Sequence, residues 1–261
     1  MVDLRNRFLT DEEAARLYAS YPEVKSDPTF FCPTCDLKRT YFWKGEDHEC
    51  DCQYQLQLLK WYLHSGIGAH YQRLSWEDYD GDPDALAWAN KYIDLHDRMV
   101  KKGFGFLFYG DYGTGKTLLL MLLMKSLVKI GYSVFCTTFT GMIELFTAGW
   151  SSPREKQYYH DRMKGSQILF IDDIGKEFKT KNNLAEATFD DILRSRIQAG
   201  RPTHITTNMT PPELVKGYGA AVFSLLQEVS IAHQFSGDDQ RPSVVLKKLT
   251  ELESGETRPI C

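Results

Sequence analysis

A chain of 261 residues, 43% of them apolar, can bury one full domain core with a small module attached. Its formal charge of −4 excludes a uniformly basic nucleic-acid coat, so any contact with DNA must come from a local patch. The longest apolar run, Leu118 to Met124, stops at Lys125, far short of the ~20 residues that span a bilayer. The charged start at Asp3, Arg5 and Arg7 lacks a signal-peptide core. The expectation is a cytoplasmic protein with no membrane partner.

In chain order, the first helical pattern is Thr10 to Tyr18, with Thr10 as cap and Glu13 completing a capping box before Pro22 and Pro28 break it. Four of the six cysteines then fall between Cys32 and Cys52, as Cys32-Pro-Thr-Cys35 and Cys50-Asp-Cys52 with fourteen residues between the pairs. Four thiolates can close a tetrahedral structural zinc site, which would stabilise a segment too small to fold on its own core. Cys-x-Cys is the less common second half, so His48 stays a candidate replacement ligand, and reduced core thiols or a redox pair are the alternative. Lys38, Arg39, Tyr41, Phe42, Trp43 and Lys44 interleave cations with rings. That composition suits stacking on single-stranded bases or, equally, the module's own small core.

A helix is expected over Gln53 to His64, packed on the module or on a partner, with Gly66 and Gly68 ending it. The turn-rich acidic stretch from Trp76 to Pro83 sets a linker at 65–80. The expected organisation is therefore a zinc-binding module with a partner-contacting helix over 1–64, the linker, a main domain over 81–250 and a mobile tail over 251–261. Ala85 to Met99 reads as a helix leading into the main domain. Five strands are expected at Gly105 to Tyr109, Ser133 to Thr138, Gln167 to Ile171, Thr203 to Thr207 and Ile231 to Phe235, alternating with helices. That alternation predicts an α/β fold with a parallel sheet covered on both faces.

Between the first strand and its helix lies Gly110-Asp-Tyr-Gly-Thr-Gly-Lys-Thr117, a complete phosphate-binding loop. Its glycines let backbone N–H groups close around phosphates, Lys116 can reach the β and γ oxygens, and the Thr117 hydroxyl can hold Mg²⁺. Fifty-six positions after Lys116, an apolar strand runs into Asp172 and Asp173. Asp172 would hold the Mg²⁺ shell and Asp173 would orient and deprotonate an attacking water; the competing reading is a solvated turn. Asn208, after the next strand, could position that water or sense the γ-phosphate, although Asn after a strand is more often a turn former.

The set Gly110–Thr117, Leu169-Phe-Ile-Asp-Asp-Ile-Gly-Lys-Glu177, Thr206-Thr-Asn208 and Gly237-Asp-Asp-Gln-Arg241 resembles the DnaC-type replicative helicase loaders, which are AAA+ ATPases. The Cys50 to Ile67 stretch resembles the amino-terminal zinc segment of such proteins. The resemblance implies an AAA+ P-loop fold with a five-stranded parallel sheet of order 5-1-4-3-2. It makes Gly110, Tyr112, Gly113, Thr114, Gly115, Lys116, Thr117 and Leu118 the nucleotide-binding loop. Lys116, Asp172, Asp173 and Asn208 become catalytic and Arg241 the second sensor. It implies ATP, Mg²⁺ and Zn²⁺ as cofactors, and a hexameric replicative helicase, single-stranded DNA and further copies of the chain as partners.

The family has its strand-contacting insertion where this chain has Phe139 to Lys164, apolar first, then basic and aromatic from Arg154 and Lys156 onward. Ordinary solvated charge explains that pattern equally well. The family's two arginines are missing from Tyr218-Gly-Ala-Ala-Val-Phe-Ser-Leu-Leu226, and the second is its trans-acting finger. Arg194, read as a solvated helix position, and Arg196 are the nearest substitutes. The expected function is an ATP-dependent helicase loader with weak ATPase activity. An IstB-like transposition helper and a non-hydrolysing, nucleotide-switched interaction protein are the alternatives.

Overall fold

The computed structural model describes residues 9–21, 35, 38, 40–175, 184–239, 253 and 258–261. Its centre is a parallel sheet of β3 (Gly105–Gly110), β4 (Val134–Thr138), β5 (Ile168–Ile174), β6 (Thr203–Thr207) and β7 (Ser230–Phe235), in the order β4-β5-β6-β3-β7. Counting core strands from β3, this is the expected 5-1-4-3-2. The inner run of β5 is apolar because both faces are covered: Ile168, Leu169, Phe170 and Ile171 are all fully buried. Alternation then assigns each residue to a side. Phe106, Phe108, Ile168 and Phe170 join one apolar cluster, while Leu107, Leu169, Ile171 and Ile205 join the other.

The first cluster lies under α4 (Pro83–Asp94) and α6 (Lys116–Ile130), with α5 (His96–Lys101) between them in sequence. The single helix expected over Ala85 to Met99 is thus two, separated at Leu95 (φ −107°, ψ 18°). The Asp82 side chain caps α4 by accepting from the N–H groups of Asp84 and Ala85, an interaction that fixes the start earlier than the apolar pattern did. The second cluster lies under α7 (Phe139–Ala148), α9 (Leu184–Gln198), α10 (Pro211–Tyr218) and α11 (Ala220–Val229). Between α7 and β5 run α8 (Pro153–His160) and a wide π turn over Asp161–Gly165.

Upstream stand α1 (Asp11–Ser20), the hairpin of β1 (Thr40–Trp43) and β2 (Glu46–Glu49), α2 (Asp51–His64) and the short α3 (Ala69–Gln72). The Thr10–Glu13 capping box forms as the sequence predicts. The boundaries expected at 65–80 and 251–261 look different in three dimensions. Leu58, Trp61 and Tyr62 of α2, together with Ile67 and Tyr79, belong to the same core cluster as α6. Residues 65–80 are packed because two buried groups of the main domain need them. The Lys125 ammonium donates to the carbonyls of Tyr71, Gln72 and Leu74, and the N–H of Cys136 on edge strand β4 donates to the Ser65 carbonyl at 2.8 Å. Nor are residues 258–261 a free tail: Ile260 is buried, and the Cys261 carbonyl accepts from Tyr62 Oη at 2.9 Å. Among the described residues no helix is long and apolar enough to cross a membrane.

Candidate nucleotide-binding site and cysteine cluster

The phosphate loop is the turn from β3 into α6. Gly110 (φ 117°) and Gly115 (φ 90°) occupy the left-handed region that the turn requires. A Cβ on Gly110 would also sit 2.0 Å from the Phe235 carbonyl oxygen, so a side chain there would break the β3–β7 pairing. The Lys116 ammonium is curled into the loop, donating to the carbonyls of Gly110 at 2.9 Å and Asp111 at 2.5 Å, and Thr114 Oγ1 donates to the same Asp111 carbonyl. The first turn of α6 has no side-chain cap, so its backbone N–H groups and dipole offer an anion site at the loop. Tyr112 is exposed and Leu118 half-buried. Asp239, within the Gly237–Arg241 motif, approaches from beyond β7: a Cβ on Gly113 would lie 1.9 Å from its Oδ1. Arg241 lies outside the described residues.

The acids arrive on β5, the neighbour of β6. Thr117 Oγ1 donates to Asp172 Oδ1 at 2.8 Å, and Thr206 Oγ1 of β6 donates to the same oxygen at 2.5 Å. The β5–β6 register shifts between Ile171 and Ile174, and within that irregularity Asp173 adopts φ 61°. Asp tolerates this conformation better than most residues, yet it costs of order 1 kcal/mol and persists only when surroundings fix it. Two bonds do so: Asp173 N–H to Thr206 Oγ1 at 2.9 Å, and Asn208 Nδ2 to Asp173 Oδ1 at 3.0 Å. Lys116, Thr117, Asp172, Asp173 and Asn208 therefore converge on one cleft. The oxygens of Thr117 and Asp172 suit a hard cation such as Mg²⁺. Asp173, turned by the kink and tethered by Asn208, can accept a proton from a water beside it. Thr206 belongs to the Thr206-Thr-Asn208 motif but had no assigned role; its signal was a hydroxyl in a strand buried at every position.

Arg196 is no substitute finger. It is fully buried, and its guanidinium donates to Thr203 Oγ1 and to the carbonyls of Met163, Ser166, Gln167 and Pro202. A side chain that closes a loop from inside cannot reach a neighbouring subunit. Arg194 is exposed and held by Asp190 one turn away. Beside Arg196, His204 is fully buried against Tyr92 and Phe106. Burial, with Arg196 adding to it, pulls its pKa down to about 3.

The Phe139–Lys164 segment divides differently from the apolar-then-basic expectation. Trp150, Arg154 and Lys156 are exposed. Tyr159 and Arg162 turn inward; Arg162 lies over the Phe135 ring at 4.6 Å and bonds the His64 carbonyl and its Nε2. Lys164 pairs with Asp191 at 2.6 Å.

Cys35, Cys50 and Cys52 are buried together, all three sulfurs within 4.8 Å of one another and the first and third 3.4 Å apart. Sulfurs around a tetrahedral zinc stand about 3.8 Å apart, so this trio fits three of four ligand positions. Cys32 lies outside the described residues. His48 is not part of the group: its ring stacks on Tyr41 and its Nε2 lies 3.2 Å from the Trp43 carbonyl oxygen. Tyr41 packs against the sulfurs, while Phe42 and Trp43 are 70% and 59% exposed at the hairpin tip.

Residues 106–207 match the model of the ATPase family associated with various cellular activities (AAA). Over 153 residues the chain is 26% identical to the replicative helicase loader DnaI of Bacillus subtilis (strain 168), a match covering 57% of this chain and 46% of that protein. The chain thus spans about half the length of this curated relative. The crystal structure of the DnaC helicase loader superposes with a TM-score of 0.58 at 20% identity, covering 65% of this chain and all of the other. The replication initiator DnaA bound to AMPPCP and single-stranded DNA superposes with a TM-score of 0.55 at 18% identity, over 71% of this chain and 56% of that one. With the loop, the acid strand and the end of β6 all inside 106–207, the chain carries an AAA-family domain of AAA+ P-loop fold, related in sequence to the DnaI helicase loader.

Proposed function

We propose that this protein is an ATP-dependent loader of the replicative DNA helicase, which grips the helicase and single-stranded DNA when replication begins. The observation that carries this reading is the convergence of Lys116, Thr117, Asp172, Asp173 and Asn208 in one cleft of a domain related to DnaI. In use, Lys116 would exchange its loop carbonyls for phosphate oxygens, a charge-assisted and stronger bond. Thr117 and Asp172 would hold Mg²⁺, whose charge offsets that on the phosphates. Asp173 would take the proton of the attacking water while Asn208 fixes the carboxylate's aim. Arg241 is the second sensor by the resemblance alone. Cys35, Cys50 and Cys52, with Cys32 as fourth ligand, would hold zinc and so present Phe42 and Trp43 to the helicase. Acidic Glu46, Asp47 and Glu49 on β2 favour a protein over nucleic acid at that tip. The exposed Arg154 and Lys156 are the candidate DNA contacts.

The buried Arg196 supports a second emphasis. With Ala221 and Leu225 where the family carries arginines, nucleotide would act chiefly as an assembly switch and turnover would be slow. Affinity capture of a replicative helicase by the full chain, with and without Mg·ATP, tests the proposal. Retention that weakens with Phe42→Ala and Trp43→Ala and responds to nucleotide only when Lys116 is intact is expected. Equal retention by all variants, or none by the parent chain, would refute it. Deleting residues 1–64 is the poorer experiment, since Leu58, Trp61 and Tyr62 belong to the core.

A further inference from the structure

Thr206 sits on β6 at 2% exposure, and its single hydroxyl is used twice. It donates to Asp172 Oδ1 at 2.5 Å and accepts the Asp173 N–H at 2.9 Å. One proton and two lone pairs permit both bonds at once. Together they determine two separate properties of the acid pair. The first fixes the rotation of the Asp172 carboxylate, and hence which oxygen is turned toward Thr117. The second holds the backbone kink at φ 61° that sends the two consecutive carboxylates to different places. Without it, Asp173 would relax toward ordinary strand geometry, in which neighbouring side chains point to opposite faces of the sheet. Asn208 reaches only the Asp173 carboxylate, so it restrains the side chain but not the kink.

We infer that Thr206 is a positioning residue that sets the geometry of both acids: it aims Asp172 at the cation and Asp173 at the water. The inference rests on the nucleotide-site reading above. A β-branched residue chosen only for strand packing would be replaced by valine without functional cost, because valine has nearly the same shape.

The test compares the parent chain with Thr206→Val and Thr206→Ser. Three quantities are measured: ATP affinity in EDTA, the gain in affinity on adding Mg²⁺, and turnover per nucleotide-binding site. Thr206→Val should bind ATP in EDTA as the parent does but lose roughly 10–100-fold in the magnesium gain and in turnover, the usual cost of removing a partner that orients metal ligands. Thr206→Ser keeps the hydroxyl and should recover most of both. Counting per binding site removes the contribution of unfolded material, and Thr206→Ala serves as a second hydroxyl-free probe if the valine variant folds poorly. A hydroxyl-free variant with the parent's magnesium gain and turnover overturns the inference. So does a serine variant as impaired as valine. If turnover is undetectable in the parent, the magnesium gain alone decides. A parent chain that binds no ATP in either buffer would instead sink the nucleotide-site reading, and the inference with it.

Discussion

Thr117 Oγ1 and Asp172 Oδ1 lie 2.8 Å apart although 55 residues separate them in sequence. The contact closes the nucleotide cleft, since it joins the last residue of the phosphate loop to the strand that supplies the acids. Nucleotide should therefore stabilise the chain in a manner that depends on both. At about 100-fold excess over Kd, Mg·ATP adds about 2.7 kcal/mol, or roughly 5–10 °C in Tm for a domain of this size. Lys116→Ala should abolish the shift, whereas Asp172→Asn should remove only the part that needs magnesium. Calorimetry of folded material showing no shift in the parent chain would rule out the site.

Arg196 should behave as a structural residue. Removing a guanidinium that donates to four carbonyls takes this partner from the buried residues Met163 and Ser166 in particular, at a cost of about 3 kcal/mol. Urea denaturation of Arg196→Ala should show it, while the exposed Arg194→Ala should leave the unfolding midpoint essentially where it is. Mixing Arg196→Ala with Lys116→Ala chains offers the complementary check. Turnover in the mixture above that of either variant alone would mean that Arg196 acts in trans after all.

His204 makes stability pH-dependent in a defined direction. Its pKa is 6.5 when unfolded and about 3 when folded, so below pH 6.5 the unfolded chain binds the proton first. Stability should be full above pH 6.5 and decline toward pH 3, by at most about 1.4 kcal/mol per pH unit from this group. His204→Phe, placed among Tyr92 and Phe106, should flatten that slope in urea titrations at several pH values. An unchanged slope would assign the acid sensitivity to other groups.

The cysteine trio should take up one zinc per chain. Elemental analysis of protein purified without chelator, and the absorption of a cobalt-substituted form, would read the ligand set directly. Cys35→Ser, Cys50→Ser and Cys52→Ser should each release the metal and unfold the hairpin, leaving ATP binding intact. His48→Ala should retain it, because that ring is engaged with Tyr41 and the Trp43 carbonyl.

Reversing Arg154 and Lys156 to glutamate should weaken single-stranded DNA binding and reduce the slope of log K against log salt by about 1.4, two phosphate contacts' worth. The same reversal at Lys164 should do less, since Asp191 already neutralises it. Equal slopes for the parent and the double variant would mean that DNA binds elsewhere.

What the sequence determined by itself was everything encoded in local pattern. Continuous apolar strands, the glycine spacing of the loop and the acids at a strand end were visible because each follows from short-range backbone geometry and burial. The Thr10–Glu13 cap was legible for the same reason. Tertiary structure decided what depends on partners far apart in the chain. Lys125 looked like the charge that ended an apolar run, yet it is buried and binds the carbonyls of Tyr71, Gln72 and Leu74, turning an expected linker into part of the core. Arg196 was a candidate substitute finger and is a buried clasp. Thr206 stood in the Thr206-Thr-Asn208 motif without a role of its own, and only the pairing of β5 with β6 places its hydroxyl between the Asp172 carboxylate and the Asp173 N–H. A polar side chain's role is set by which groups surround it, and that is a property of the packed sheet and not of the neighbouring letters.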